Sequence, residues 1–358
     1  MAVAVSSEAA INYVESRHYT EPLFVFVIMV VAASRPVLAV VRQVVDLLAN
    51  IIPIRAEVAQ VWLCFAAVPV LGSLITEPAA MTLAALMLSQ PVFKARMPEW
   101  LKYASLGVLF VNISIGGTLT AYAAPPVLMV ATTWGWGSSF MATTFGWKAA
   151  IAVVINASVI SFLLAKYIKK SSLTAEERRE QNIPLLVSLV HLGVLVGVVI
   201  FAHHPILFFG LFMLFLGFTQ AYAKYQSPLI LKEGLLVGFF LAGLVVIGGM
   251  QQWWLQPIVS SLAPLQLFFG ATALTAITDN AALTYLGSLI TTLSDESKYM
   301  LMAGAVTGGG LTLIANAPNP AGAALLKQGF KDGSISAGQL LLGALPPTVV
   351  AAAMFLLF

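Results

Sequence analysis

The chain has 358 residues, of which 59% are hydrophobic and only 9% charged, against roughly 25% charged in an ordinary soluble domain. That balance excludes a soluble globular fold and places the chain in a lipid bilayer. The formal net charge of +3 carries no message about nucleic acid, because the basic residues are scattered through loops. The single cysteine, Cys64, allows no intrachain disulfide.

The apolar runs are continuous rather than alternating, so the spans are expected to be helices rather than barrel strands. Residues 1–21 form a polar N-terminal segment with Glu8, Glu15, Arg17, His18 and Glu21; it does not read as a cleavable signal peptide. An apolar segment covers 22–41. At 36–52, Arg42, Asp46 and Asn50 share one stripe with the preceding Arg35, which fits a helix whose second half lies in the interface; the alternative is two separate crossings. Segments 57–76 and 78–93 flank Glu77 and read as a helical hairpin over 57–93 that enters the membrane and returns. Residues 101–132 are too long for one ordinary span of about 20 residues. They carry Gly116-Gly117 and Pro125-Pro126 near their middle, so they read as one crossing made of two half-helices. A span at 146–168 completes a first repeat over 22–168. A charged linker at 169–183 and connecting helices within 184–228 follow. The second repeat, 229–358, contains a span at 229–250, a hairpin over 257–293 turning at Asp279, a broken crossing over 298–328 and a last span at 336–358.

The two halves share a phrase. Residues 75–82 read Ile-Thr-Glu-Pro-Ala-Ala-Met-Thr, and 277–284 read Ile-Thr-Asp-Asn-Ala-Ala-Leu-Thr. Each is followed by a glycine-rich break: Gly116-Gly117-Thr118-Leu119-Thr120, and Gly308-Gly309-Gly310-Leu311-Thr312 with Pro318 and Pro320 beyond. Most Lys and Arg residues, from Arg42 and Arg55 through Lys102, Lys166 and Lys232 to Lys331, fall in loops on one side of this layout. Arg17, Lys148 and Lys298 fall on the other, and Arg35 is ambiguous. The excess marks the first side as cytoplasmic, together with the linker 169–183, and leaves both termini outside. Trp134, Trp136, Trp147, Trp253 and Trp254 fall near the outer ends, as an aromatic belt does. Five crossings separate the hairpins. An odd number makes them enter from opposite faces, so the expected fold is an all-α polytopic membrane protein of two inverted-topology repeats.

Two acids inside apolar segments carry the chemistry. A carboxylate there costs roughly 2.5–3.5 kcal/mol on insertion scales. The structural reading of Glu77 and Asp279 is helix capping; their matched places in two repeats favour an ion site, and the two roles are compatible. Unwound backbone at Gly116, Gly117, Gly308, Gly309 and Gly310 exposes carbonyls, and Asn280, Thr118, Thr120, Thr312, Asn316 and Asn319 add side-chain oxygens. Such a set suits a small hard cation. For Thr120 and Thr312 the competing reading is a hydroxyl bonded one turn back, and for Asn316 and Asn319 it is loop capping. His191 reads as a packing residue. No HExxH, GxSxG or P-loop occurs, so no enzyme and no cofactor is expected, and an ion gradient rather than ATP should drive transport.

The Thr-Asp-Asn-Ala phrase at a hairpin tip and the Gly-Gly-Gly-Leu-Thr break resemble the ion transporter superfamily. That group includes NhaD-type sodium/proton antiporters, arsenite exporters and divalent-anion/sodium symporters. The chain is most similar to its sodium/proton antiporter family, from about residue 55 onward. The resemblance implies inverted repeats with re-entrant hairpins, a homodimer in a bacterial inner membrane, and a site built from hairpin tips and broken loops. Na⁺ and H⁺ are then the transported ions, with Glu77 and Asp279 holding Na⁺ or protons alternately. The symporters carry Ser-Asn-Thr at both tips, whereas the tips here read Thr-Glu-Pro and Thr-Asp-Asn. An organic-anion or oxyanion carrier coupled to a cation is the alternative. An intramembrane enzyme with an aspartyl dyad is a third reading, for which no Gly-x-Gly-Asp phrase exists.

Overall fold

Proline, glycine and the demand that every buried backbone group find a partner set the helix boundaries. The computed structural model describes residues 6–94, 97–168 and 183–358, so all but the last residue of the expected linker 169–183 lies outside the described residues. Every regular element among them is helical. The first half contains α1 (Ser7–Glu15), α2 (Thr20–Ala32), α3 (Arg35–Ile51), α4 (Ala56–Phe65), α5 (Ala67–Ile75), α6 (Glu77–Leu88), α7 (Glu99–Gly116), α8 (Pro125–Trp134) and α9 (Ser138–Leu164). Then come α10 (Leu185–Ile200) and α11 (Pro205–Ala221). The remainder holds α12 (Leu231–Gly248), α13 (Gln252–Ser260), α14 (Pro264–Thr275), α15 (Asn280–Ser288), α16 (Asp295–Gly308), α17 (Asn319–Leu326) and α18 (Ala337–Leu357).

Among the described residues, α9, α12 and α18 are each long and apolar enough to cross a membrane, and the bent pairs α2–α3 (63°) and α4–α5 (45°) raise the number to five. The chain is a multi-pass helical membrane protein. Helix α3 turns Val37, Val41, Val45 and Ala49 inward and leaves Val44, Leu47 and Ile51 exposed, an apolar-outside, four-residue pattern that fits contact with lipid. The first arm of the expected second hairpin, 257–278, is not one helix: α13 stops at Ser260 and Pro264 starts α14, since proline favours a first turn.

Helix α7 is buried along most of its length and packs against α5, α9, α16 and α18. Its crossing with α18 brings Gly107 against the backbone of Gly343 and Gly343 against that of Tyr103, with no room for a side chain at either place. Small residues let membrane helices approach closely in this way. Helix α16 does the same against α14, with Gly304 on Phe268 and Gly308 on Thr272.

Buried polar side chains mend the backbone where helices break. Pro69 in α5 has no N–H for the carbonyl of Phe65, and that carbonyl accepts from Asn112 Nδ2 at 2.9 Å. Asn112 Oδ1 in turn accepts from Asn156 Nδ2 at 2.9 Å, which joins α7 to α9. His191 is fully buried; its Nδ1 lies 2.8 Å from the carbonyl of Val187 and its Nε2 3.0 Å from Gln226 Nε2, so the packing reading holds.

Replacing Gly107 with Ala puts a methyl group into the Gly343 backbone and should destabilise the protein by about 1–3 kcal/mol, whereas Gly217→Ala, with open space around it, should leave thermal unfolding in detergent unchanged or slightly raised.

Candidate functional site

The first copy of the repeated phrase builds a sharp turn. Helix α5 ends at Ile75 and α6 starts at Glu77, with Thr76 between them at φ 77° and ψ 150°. A β-branched residue rarely adopts that conformation, which costs of order 1–3 kcal/mol. Pro78 then fixes the first turn of α6. The Glu77 N–H donates to the carbonyl of Ala123 at 3.4 Å, in the non-helical backbone between α7 and α8. In the second half, the N–H of Asn280 donates to the carbonyl of Ala315 at 3.1 Å, in the corresponding stretch between α16 and α17. Each turn is therefore held by the unwound segment that follows it in its own half.

The carboxylates differ. Asp279 is partly buried and caps α15, its Oδ1 accepting from the N–H groups of Ala281 at 2.8 Å and Ala282 at 3.2 Å. Glu77 is fully buried and does not cap α6. Its Oε2 accepts from Asn316 Nδ2 at 2.9 Å, a bond that joins the first hairpin to the broken crossing of the second half. Its Oε1 has no hydrogen-bond partner among the protein's own atoms. Gly117 lies against this carboxylate: a Cβ there would sit 2.6 Å from Oε1. The two ion pairs formed among the described residues, Lys102–Glu99 and Lys298–Asp295, involve neither acid.

Beside Glu77 and along the second break the protein leaves buried polar atoms unpaired. Asn316 Oδ1 and the Thr76 hydroxyl belong to residues that touch or adjoin Glu77; Asn319 Oδ1, both amide atoms of Asn280 and the hydroxyls of Thr275 and Thr307 belong to residues on or against the segment Gly308–Gly309. Asn319 spends its amide on the carbonyls of Gly309 and Thr312, both at 2.8 Å, which folds the unwound segment back on itself. Asn280 and Ser114 both lie against Gly309, and Ser114 Oγ donates to the carbonyl of Val306 at 2.7 Å, tying α7 to α16. Buried polar atoms in folded proteins nearly always have partners. A group of oxygens that does not, next to a carboxylate, is what a hard cation would satisfy. Three or more His, Cys, Asp or Glu side chains gather nowhere among the described residues, so the donor set is not that of a transition-metal centre.

The threonines of the breaks sit in another role. Thr118 Oγ1 donates one turn back to Ile115 at 2.7 Å. Thr120 and Thr312 reach across instead: Thr120 Oγ1 donates to the carbonyl of Ser73 at 2.6 Å, and Thr312 Oγ1 to that of Ala276 at 2.8 Å. Each ties a broken crossing to the first arm of its hairpin. Ser73 strengthens the first tie, donating to Gly116 at 2.7 Å and accepting from the N–H of Leu119 at 3.0 Å. Among the glycines, Gly308 and Gly116 serve close helix contact, and Gly310 lies against Val111. Sequence reasoning passed over Ser73, Thr76, Thr275 and Thr307. A signal for three of them was present: Thr76 belongs to the repeated phrase, and Ser73 and Thr275 are hydroxyl residues standing at the same place before the acid in each half.

The family described as "Putative Na+/H+ antiporter" matches residues 1–358. The chain belongs to that family. No curated protein matches the chain. Membership in an Na⁺/H⁺ antiporter family accords with an acidic, oxygen-rich cluster, and transport rather than enzymatic turnover is the family's business.

Gly117→Ala would drive its methyl group into the Glu77 carboxylate. We expect it to cut Na⁺-dependent proton movement in proteoliposomes at least tenfold while the protein still elutes as a monodisperse species.

Proposed function

We propose that the chain exchanges Na⁺ for H⁺ at an oxygen cage centred on Glu77, with Asp279 as the second, partly hydrated carboxylate. The observation that carries this reading is the fully buried Glu77, with one oxygen held by Asn316 and the other unpaired, beside the unpaired Asn316 Oδ1 and Thr76 hydroxyl. A bare carboxylate in a dry, low-dielectric site is costly. Glu77 therefore carries either a proton or a cation whenever the site is sealed from water. One negative charge offset by one of two competing cations makes exchange obligatory, because the unloaded site is the expensive one to move. An anionic cargo would meet like charge here and the acidic tips do not favour it.

The packing supports alternating access between two inverted repeats, 22–168 and 229–358. Helix α6, which leaves Glu77, packs on α17; helix α15, which leaves Asp279, packs on α8. The return arm of each hairpin thus lies on the far piece of the other half's broken crossing. We place the site in a bacterial inner membrane, in a homodimer, with both termini outside.

Two measurements test the exchange. Glu77→Gln should abolish Na⁺-driven proton movement, whereas Asp279→Asn keeps a competent helix cap and so reports on the charge alone; wild-type exchange by Glu77→Gln would end the proposal. Na⁺ and H⁺ competing for one carboxylate have a definite sign. The apparent Kd for Na⁺, read by isothermal titration, should rise by about tenfold for each pH unit once the solution is more acidic than the carboxyl's own titration, and a pH-independent Kd would show that the proton binds elsewhere.

A further inference from the structure

A second polar space lies on the side of the molecule that carries the N-terminal segment. It is a cavity of about 580 Å³ between the start of α2, the C-terminal ends of α8 and α15 and the end of α12. Arg17, Glu21 and His203 stand at its walls, Thr133 and Ser288 supply hydroxyls, and Met129 and Tyr285 lie deepest along their helices. A space of that size with polar partners on several walls holds water.

Its position matters because of the two helices it shares with the candidate site. Helices α8 and α15 pack on each other, and both begin at the cluster, α8 at Pro125 beside Ala123–Ala124 and α15 at Asn280. Both end at the cavity. At 1.5 Å per residue the step from Asn280 to Tyr285 is about 7.5 Å, and the whole run to Ser288 about 12 Å. Between cavity and cluster lies a thin seam in which fully buried Thr284 donates through Oγ1 to the carbonyl of Pro126 at 2.9 Å. Below it, Tyr285 donates to Val245 at 3.1 Å. The roof is held by the N-terminal segment, where Tyr13 donates to Val246 at 2.7 Å and the Arg17 guanidinium stacks 4.4 Å from the Tyr13 ring.

We propose that this cavity is the aqueous vestibule through which ions reach the Glu77 cluster from the face bearing the N-terminal segment, and that the Thr284–Pro126 seam is the barrier that opens. Glu21 offsets the charge of Arg17 on the same wall, so the carbonyl ends of α8 and α15 are left to favour a cation, and the N-terminal segment becomes part of the transport path. The role of conduit for Na⁺ and H⁺ rests on the exchange proposed above; the water access does not.

Thiol accessibility tests it in the full-length protein, where the native Cys64 is only 1% exposed. Thr133→Cys, Ser288→Cys and Thr284→Cys are made one at a time and treated in sealed vesicles with a charged, membrane-impermeant methanethiosulfonate from each face. Thr133→Cys and Ser288→Cys should label from the N-terminal face alone, and Thr284→Cys at a rate that changes at least severalfold between saturating Na⁺ and low pH. Labelled Ser288→Cys should lose at least tenfold in Na⁺-driven proton movement relative to the same vesicles before labelling. Labelling of Ser288→Cys from the opposite face, no labelling of a monodisperse protein, or labelling with transport unchanged overturns the vestibule. Should the parent protein move no protons under a Na⁺ gradient, the exchange proposal falls by itself, and the sidedness of Ser288→Cys labelling still decides the vestibule.

Discussion

The hydrogen bond from Asn316 to Glu77 is the contact on which the rest of the architecture turns. It joins a hairpin in one half of the chain to an unwound segment in the other, 239 residues away in sequence. One amide cannot neutralise a carboxylate, and in hydrocarbon that shortfall is large. The surrounding elements can be understood as the means of placing that one charge where water does not reach and other oxygens do. The strained turn at Thr76 aims it, Gly117 leaves space for it, and the packing of α6 on α17 brings the second half's broken segment to it.

Enclosure demands irregular backbone deep in the molecule, and irregular backbone demands partners. The chain meets this with a small set of hydroxyls and amides. Ser73, Thr120 and Thr312 bind each break to a hairpin arm, while Asn319 closes the second break on itself. Further from the site, Asn112 covers the carbonyl freed by Pro69 and hands its own oxygen to Asn156. These residues look alike in sequence to those that leave oxygens unpaired, and Asn319 is both: its amide nitrogen is paired and its Oδ1 is not.

Local signals were legible in the sequence and tertiary ones were not. The ends of α5 and α7 and the restart at Pro125 follow from proline, glycine and a repeated phrase, all local signals. The bend between α4 and α5 was not legible, because Pro69 sits within a run that stays apolar on both sides; the interruption at 261–263 carried the same mark as the restart at Pro125, Pro264 after Ser260-Ser261, yet the flanking apolar runs read as one arm. Within the site, the acids announce themselves by charge against an apolar background. Thr307 does not, since a hydroxyl in a membrane helix is commonplace and usually bonds its own backbone. The different surroundings of Glu77 and Asp279 were equally hidden: both follow a threonine where a helix starts, and tertiary contact with Asn316 and Gly117 tells the buried one from the capping one.

In the exchange proposed for Glu77, Thr76 would bear on selectivity. A glycine would occupy its backbone conformation without strain, yet it would also let the tip hinge. Threonine keeps the loop stiff at an energetic cost, so the spacing between the Glu77 carboxylate and the facing amides cannot readily shrink or swell. A cage of fixed bore discriminates by ionic radius, whereas a pliant one would close on whatever cation arrived.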